Sequence, residues 1–322
     1  MKRLLVTGGA GFIGTNLVER LMGAGGYDVT VLDNESNGDG AGVAALGARF
    51  RKGDILDRDL LAEVTRGMDT IVHLAAQTRV MDSIEDPETN FRVNVEGTFR
   101  VLEAARRNGV GRVVNASTGG AISGDAAPPI GEDMPARPLA PYGASKLAGE
   151  GYCFAYAGSY GLSTVSLRFS NVYGPRSGYK DSVVARFMKQ ILSGERLVVY
   201  GDGSQSRDFL FVGDLVEGIR AALEGSWTGV FQLGSGRPTS LLELIGLLRG
   251  VAGPEFGIDV EFGIFRPGEV RRTWCDIGKA RRELGFDPAT SLEQGLRATW
   301  RWFQADPAFS RPEPARATDR AT

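Results

Sequence analysis

Cysteine and histidine are nearly missing from this chain of 322 residues, which has two cysteines and one histidine. Cys153 and Cys275 lie far apart in apolar or helical patterns, which favours reduced, buried thiols over a disulfide framework. The single histidine, His73, excludes a histidine-rich metal site, and a Ser-His-Asp triad would have to use that residue. We therefore expect no bound metal and a reducing compartment.

Long apolar runs and an excess of charge of one sign are also missing. The formal net charge is -2, which gives no electrostatic basis for binding nucleic acid or an anionic membrane. No apolar run approaches the length of a membrane span, and the first ten residues read as a strand rather than a signal peptide. The composition is that of a globular protein, which we expect to be cytoplasmic and to act on small molecules.

What the sequence does have is a regular alternation of strand-like and helix-like segments over residues 1–170. Such alternation predicts an α/β fold with a doubly wound parallel sheet of the Rossmann type. Loops rich in Gly, Asp and Arg predict a smaller α/β substrate lobe over 171–305, with a further strand and helix of the large lobe drawn from about 205–235. Residues 306–322 are rich in Pro and Ala without periodicity, which predicts a disordered tail.

A glycine cluster follows the first predicted strand, in the stretch LVTGGAGFIG. Gly9, Gly11 and Gly14 satisfy G-x-G-x-x-G, and Gly8 extends the pattern to G-x-x-G-x-x-G. Between a strand and an amphipathic helix, such a turn lets a pyrophosphate approach the backbone and the start of the helix. Asp33, at the end of the second strand, would bind an adenosine ribose and repel a 2′-phosphate, which favours NAD over NADP. A tight turn that needs glycine only for packing is the alternative.

Two more strand ends lie at the same edge of the predicted sheet. Asp54 and Ile55 follow the third strand, where the adenine would lie, and residues 73–77 end the fourth strand against the pyrophosphate and ribose. His73 itself lies among apolar residues, so a buried structural imidazole is favoured over a catalytic one.

The stretch PYGASK places Tyr142 and Lys146 four residues apart at the start of a predicted helix. One helical turn separates them, so the phenol and the ammonium share a face, and the ammonium favours the phenolate. Ser117 and Thr118 end the fifth strand beside that helix, where a hydroxyl could bind the substrate oxygen that loses its proton. A surface helix that carries Tyr and Lys, and hydroxyls that only cap a turn, are the structural alternatives.

The glycine-rich TGGAGFIG, the Tyr-x-x-x-Lys pair and the stretch NVYGP together resemble the extended short-chain dehydrogenase/reductase family, in particular its nucleotide-sugar epimerase/dehydratase group, typified by UDP-glucose 4-epimerase. The resemblance covers residues 1 to about 300 and implies an NAD-dependent enzyme that acts on a nucleotide sugar. It implies contacts with NAD from Gly8, Gly11, Phe12, Ile13, Gly14, Asp33, Asn34, Asp54, Ile55, Leu74, Ala75, Ala76, Gln77, Asn94, Ser117, Tyr142, Lys146 and Phe169. It implies contacts with the substrate from Gln77, Thr118, Tyr142, Asn171, Val199, Tyr200, Arg207 and Arg266.

Arg207 and Arg266 would neutralise the substrate's diphosphate, and forked donors on separate loops suit that group. Unpaired surface arginines are the alternative reading of the pair. Val199 and Tyr200 would lie against the nucleotide base.

Three reactions occur in this group, namely 4-epimerisation, 4,6-dehydration and decarboxylation of a uronic acid. A 4,6-dehydratase carries Asp-Glu directly after its catalytic Thr, whereas Gly119 and Gly120 follow Thr118 here. The Glu usual in decarboxylases is Ala121. We therefore expect a 4-epimerase whose 4-keto sugar rotates and takes its hydrogen back from NAD on the other face.

The chain departs from the family pattern at three positions. The position usual for the catalytic hydroxyl is Gly119, so we assign the substrate hydroxyl to Thr118 and a supporting role to Ser117. Ser123 replaces the usual Tyr, and Thr273 stands where acceptance of a bulky C2 substituent is tuned, so N-acetylated or uronic sugars are candidates beside glucose and galactose.

A simple NAD-dependent sugar-nucleotide dehydrogenase and a non-enzymatic NAD-binding protein are the rival classes; the latter would be expected to have lost Tyr142 or Lys146. The resemblance also implies a homodimer, formed through the helices that begin near Pro87 and Pro141.

Overall fold

A computed structural model describes residues 1–264 and 270–309 of the chain. Its strands are β1 (Lys2–Thr7), β2 (Tyr27–Asp33), β3 (Arg49–Lys52), β4 (Thr70–His73), β5 (Arg112–Thr118), β6 (Ser163–Phe169), β7 (Asn171–Tyr173), β8 (Leu197–Tyr200), β9 (Ser206–Phe211), β10 (Gly229–Leu233), β11 (Pro238–Ser240) and β12 (Val260–Gly263).

The helices are α1 (Phe12–Ala24), α2 (Gly40–Ala45), α3 (Arg58–Val64), α4 (Val80–Glu85), α5 (Pro87–Phe91), α6 (Gly97–Arg107), α7 (Gly119–Ser123), α8 (Pro141–Tyr160), α9 (Val183–Ser193), α10 (Val212–Glu224), α11 (Leu241–Ala252) and α12 (Leu292–Ala305). Two π-helical turns, Arg92–Glu96 and Ala280–Leu284, complete the helical segments. The first of them joins α5 to α6, so that one helical path runs from Pro87 to Arg107.

Seven strands form the main sheet, in the order β10-β6-β5-β4-β1-β2-β3, and every neighbouring pair is parallel. The predicted α/β fold with a doubly wound parallel sheet is confirmed. The chain leaves β1 towards β2 and β3, then returns to β4 on the other side of β1. Ligands of open parallel sheets bind where the strand order reverses, at the carboxyl ends of the strands. That reversal therefore directs attention to the ends of β1, β2 and β4.

Helices cover both faces of this sheet, because successive residues of each buried strand point to opposite sides. Leu4 and Val6 belong to the core on the side of α1 and α10, and Leu5 belongs to the core on the side of α3, α6 and α8. Burying Leu5 from water contributes about 2 kcal/mol to folding, as for any fully buried leucine. Among the strands of this sheet, β3 is largely exposed, because it is an edge strand and three of its four residues are polar.

The smaller lobe contains a three-stranded sheet of order β11-β9-β7 and a parallel pair, β12 with β8. A separate core holds it together, built around α9, α11 and α12. Strand β10 adds to the edge of the main sheet and α10 packs on that sheet, while β9 stays in the smaller lobe. The domain boundaries near residues 170 and 305 stay a prediction.

The first four residues of the predicted tail pack against α12. Residues 306–309 form a turn, and the Phe309 ring lies 5.1 Å from that of Phe303 and 6.1 Å from that of Trp302. The aromatic ring, which the Pro and Ala bias of the segment hides, anchors this turn on α12. Residues 310–322 lie outside the described part of the chain.

Candidate active site

The glycine turn after β1 is packed too closely for side chains. Gly8 has a φ of +70°, and a Cβ atom on it would lie 2.5 Å from the backbone nitrogen of Ala75. A Cβ on Gly14 would lie 2.4 Å from the carbonyl oxygen of Gly8. Glycine at both positions therefore lets β1, α1 and the exit of β4 meet, and it leaves backbone N–H groups at the start of α1 open to an anion.

Asp33 connects the end of β2 to this turn. Its carboxylate accepts a 3.0 Å hydrogen bond from the Ala10 N–H and a 2.8 Å bond from the Glu35 N–H. Because a carboxylate oxygen can accept two bonds, Asp33 keeps acceptor capacity for ribose hydroxyls. Asn34 donates to Asp54 at 3.0 Å, which joins the ends of β2 and β3 at the predicted adenosine end of the site.

The predicted cofactor residues on other elements differ in how far their side chains are already buried or hydrogen-bonded within the protein. Residues 74–77 leave β4 beside the glycine turn, as expected. Asn94 exchanges hydrogen bonds with the backbone of Gln77 and donates to Ser145 Oγ at 3.1 Å, so its amide braces the β4 exit against α8. Ile55 and Phe169 are buried in the two cores that flank the sheet.

His73 is a structural residue. Its Nδ1 lies 2.7 Å from Thr7 Oγ1 and its Nε2 lies 3.0 Å from Thr98 Oγ1. Burial, helped by the charge of Lys146, lowers the pKa of the imidazole to about 3, so the ring stays neutral. The prediction of a buried core imidazole is confirmed. Both cysteines are buried free thiols, as predicted.

Helix α8 starts at Pro141 and carries the proposed catalytic pair on one face. The Tyr142 phenol is hydrogen-bonded to the side chain of Thr118, and the Lys146 ammonium donates to the Ala116 carbonyl at 3.0 Å. Burial raises the pKa of Tyr142 to about 12, although the Thr118 bond opposes that rise. Burial lowers the pKa of Lys146 to about 8, although the carboxylate of Glu150 opposes that fall. Tyr142, Lys146 and Thr118 therefore come together at the end of β5.

Ser117 points the other way, to a buried ion pair beneath the site. Its hydroxyl donates to Glu150 at 2.6 Å, and Arg168 donates to both oxygens of Glu150, at 2.8 and 2.7 Å. Glu150 is 2% exposed and Arg168 5% exposed. Sequence reasoning missed both residues, although Glu150 stands one helical turn after Lys146 and so continues the Tyr142-Lys146 stripe.

Two glycines form the floor of the site after Thr118. A Cβ on Gly119 would lie 2.5 Å from the Gln232 side-chain oxygen, and one on Gly120 would lie 3.2 Å from Thr273 Oγ1. Thr273 therefore lies beside this floor, whereas the Ser123 side chain is buried. The floor has no room for a larger side chain at Gly119.

The smaller lobe brings some of the predicted substrate residues to one area. Asn171 begins β7 and is exposed, and Arg207 lies on the adjacent strand β9, two residues before the partner of Asn171. The Val199 side chain is 1% exposed in the core of the lobe, which leaves its backbone and the half-buried Tyr200 to meet a base. Arg266 lies outside the described residues.

Metal ligands and membrane-crossing helices are absent from the part of the chain described above. No group of three or more His, Cys, Asp or Glu residues in it could hold a metal ion. None of the helices within residues 1–264 and 270–309 has both the length and the apolar character needed to cross a membrane.

Comparison with known proteins gives a consistent assignment. Residues 4–234 match the NAD dependent epimerase/dehydratase family. The chain is 40% identical to the UDP-glucose 4-epimerase of Mycolicibacterium smegmatis over 314 residues, 94% of this chain and 98% of that protein. It is 39% identical to a dTDP-glucose 4,6-dehydratase of Streptomyces griseus over 318 residues, 96% of each chain.

A solved structure shares the fold along nearly the whole chain. The UDP-glucose 4-epimerase of Thermus thermophilus in complex with NAD superposes with a TM-score of 0.88 at 37% identity, covering 94% of this chain and 99% of the other. The chain thus belongs to the NAD-dependent epimerase/dehydratase family and uses NAD in nucleotide-sugar chemistry.

Proposed function

We propose that the protein interconverts the C4 epimers of a UDP-sugar through a transient 4-keto intermediate. One observation carries the proposal: the catalytic cluster of Tyr142, Lys146 and Thr118 is followed by the glycine floor at 119 and 120. Epimerisation needs only one proton acceptor at O4, and the sugar returns through the same groups. Dehydration needs an additional acid and base for elimination across C5 and C6, and the floor offers neither.

The residues present fit NAD, because the bare turn at Gly8 and Gly14 keeps side chains away from the start of α1. When bound, NAD supplies the acceptor for the hydrogen at C4 of the sugar. Lys146, close to the end of β5, favours the phenolate of Tyr142 by its charge. Tyr142 then takes the O4 proton, with Thr118 holding the same oxygen, and returns the proton after the keto sugar has turned over.

Other carboxylates near the floor are engaged elsewhere. Asp208 accepts four hydrogen bonds, from the Ser235 N–H and hydroxyl and from the Gly236 and Cys275 N–H groups. Glu132 accepts from the Gln232 N–H at 2.8 Å. These acceptors stabilise the fold around the floor, so they support epimerisation over dehydration even though both kinds of relative are about equally similar overall.

The identity of the sugar is the finer part of the proposal. Thr273 is a fairly small side chain beside the glycine floor, which suits glucose and galactose and keeps an N-acetylated sugar as a further candidate. UDP-glucose with UDP-galactose is our first choice, because the M. smegmatis relative at 40% identity is a UDP-glucose 4-epimerase.

A panel of UDP-hexoses, their N-acetylated forms and UDP-hexuronates, incubated with the purified enzyme and followed by NMR, tests the proposal. We expect one 4-epimeric pair to equilibrate from either side without net change in absorbance at 340 nm. A 4-keto-6-deoxy product would indicate dehydration, loss of carbon dioxide would indicate decarboxylation, and accumulating NADH would indicate a simple dehydrogenase. Any of these, or no turnover of any pair, would overturn the proposal.

We also propose that the protein is a homodimer, with α8 and the helical path from Pro87 to Arg107 at its interface. Phe91 and Phe154 are 58% and 56% exposed on these elements. Light scattering should give twice the chain mass for the wild type and the single chain mass for Phe154→Glu. Phe262→Glu changes an equally exposed ring on β12 and should leave the dimer intact. A monomeric wild type would contradict this.

A further inference from the structure

The segment 174–182, here called the strap, connects β7 of the smaller lobe to α9 and runs along the start of α1. The Asn16 side chain donates to the Pro175 carbonyl at 3.2 Å, and Arg176 pairs with Glu19 at 2.9 Å. Both partners of the strap lie on α1, which belongs to the large lobe. The strap therefore joins the two lobes directly at the predicted cofactor site.

Further contacts fix the second half of the strap. Asp181 pairs with Arg79 of the large lobe at 3.1 Å. The Lys189 ammonium, on α9, donates to the carbonyls of Gly178 and Lys180 at 3.1 and 2.9 Å. These bonds hold the backbone of residues 178–181 between the lobes and determine where the side chains of Tyr179 and Lys180 point.

Tyr179 lies over the glycine turn. Its hydroxyl oxygen accepts a hydrogen bond from the Phe12 N–H, the first amide of α1. A Cβ on Gly11 would lie 3.3 Å from the same oxygen. An N–H at the start of a helix that follows a glycine turn is the group that a pyrophosphate oxygen accepts from. The Tyr179 oxygen therefore takes the position of a phosphate oxygen.

Lys180 places a positive charge at the exit of β4, the segment that packs on the glycine turn. Its ammonium lies 3.4 Å from Thr78 Oγ1, three residues beyond the Ala75 backbone that packs on Gly8. The carboxylate of its neighbour Asp181 is already paired with Arg79. In the described residues Lys180 forms no ion pair, so a half-buried cation lies at the exit of β4 without an anion to neutralise it.

We propose that the strap is the second half of the NAD pyrophosphate site, contributed by the smaller lobe. Tyr179 would give up the Phe12 N–H to a bound pyrophosphate and donate its own hydroxyl to one phosphate oxygen, and the Lys180 ammonium would bind another. Burial raises the pKa of Tyr179 to about 12, so this hydroxyl keeps its proton at neutral pH and can donate. Because the strap is bonded to the start and middle of α1, we expect its contacts with the pyrophosphate to slow the release of NAD.

Release of NAD from the holoenzyme tests this proposal without any assay of the sugar reaction. Tyr179→Phe removes the hydroxyl and keeps the ring, and Lys180→Gln removes the charge. The loss of each charge-assisted bond should speed NAD release about tenfold or more. The half-life of release and the NAD retained per chain after gel filtration measure this effect. Lys180→Arg should restore most of the retention.

Two controls separate this role from general damage. Tyr160→Phe removes a hydroxyl from an exposed tyrosine at the far end of α8 and should leave release unchanged. UDP affinity of each holoenzyme should stay within about twofold of the wild type, since the proposal concerns the cofactor. Unchanged NAD release in both strap variants would overturn the proposal, as would a loss of UDP affinity with normal NAD retention, which would assign Lys180 to the substrate. The proposal rests on NAD dependence alone, so it survives if the sugar chemistry differs.

Discussion

Helix α8, which carries the proposed catalytic pair, and the strands of the smaller lobe proposed to bind the substrate place their side chains in opposite ways. On α8, Tyr142, Lys146 and Glu150 follow one another at intervals of one helical turn, and Lys146 and Glu150 are 6% and 2% exposed. In the smaller lobe, Asn171 and Arg207 come from different strands and are exposed or half-buried. One site is a buried local stripe, and the other is an open surface assembled from distant segments.

This difference in burial determines how strongly charged groups interact on α8 and in the smaller lobe. Charges on α8 interact through a medium of low polarity, where opposite charges attract strongly and a lost partner is costly. Charges in the smaller lobe are partly solvated, so each contributes less. Substitutions on α8 should therefore change rate, pH dependence and stability, whereas those in the smaller lobe should change mainly substrate affinity.

The largest effect is expected from Tyr142→Phe, which removes the proposed proton acceptor and keeps the ring. We expect kcat to fall about a thousandfold, within the range for loss of a general base. Tyr152→Phe removes a hydroxyl from an exposed position of the same helix and should keep wild-type kcat. Undiminished turnover of the Tyr142 variant, with either 4-epimer as substrate, would disprove the assignment.

The next largest effect is expected from Glu150→Gln, which leaves Arg168 without its buried partner. Such a loss typically lowers the free energy of unfolding by about 3–5 kcal/mol, which urea denaturation would measure. The lost carboxylate should also lower the pKa of Lys146 further below its value of about 8. Because catalysis needs the charged form of Lys146, we expect wild-type activity to decline above about pH 8. In the Glu150→Gln variant this decline should begin at a lower pH.

A double variant separates the two consequences. In Glu150→Gln with Arg168→Met the uncompensated guanidinium is gone, so most of the stability should return. The alkaline limb of the pH profile should stay displaced, because the charge that supports Lys146 is still missing. If the alkaline limb returned to its wild-type position together with the stability, Glu150 would affect activity only by stabilising the fold.

A smaller effect is expected from Thr118→Val, which removes a hydroxyl and keeps the shape. The Thr118 bond lowers the pKa of Tyr142, so its loss should raise that pKa and move the acid limb of the profile to higher pH. We expect kcat to fall about ten- to a hundredfold from one lost hydrogen bond at the reacting oxygen. Ser117→Ala should leave the acid limb of the pH profile unchanged, because the Ser117 hydroxyl faces Glu150. A shift of the acid limb in Ser117→Ala, with none in Thr118→Val, would mean that Ser117 and not Thr118 acts on Tyr142.

The same contrast explains how much could be predicted from sequence. The sheet, the glycine turn and the Tyr142-Lys146 pair were predictable, because each depends on residues a few positions apart and on a fixed period. Glu150 also stands at that period, but its role depends on Arg168, which is brought beneath it by β6. A pairing across elements has no local signature, so the ion pair was not predicted.

Tyr179 and the smaller lobe show the same limit more strongly. The Tyr179 hydroxyl meets an amide 167 positions earlier in the chain, and no periodicity connects the two. Val199 was predicted beside the base, but its side chain is buried in the core, because alternate residues of a short strand face opposite sides. When several loops together bind one end of a ligand, their residues can be identified only in the folded structure, which brings the loops side by side.

The smallest effect is expected from Arg207→Ala, and it decides whether the two sites differ as argued. Arg207 is half-buried on β9, and its side chain donates to the Ser206 carbonyl at 3.0 Å, which keeps the guanidinium near the strand. Loss of one partly solvated contact to a diphosphate should raise KM about five- to tenfold. The pH profile and kcat should stay unchanged, because the diphosphate that Arg207 is proposed to bind is remote from the O4 proton. Arg301→Ala, at an exposed position of α12, is the matched control and should behave as the wild type.

A fall in kcat with unchanged KM would mean that the smaller lobe acts on the reacting atoms, and the contrast between a buried catalytic stripe and an open binding surface would not hold.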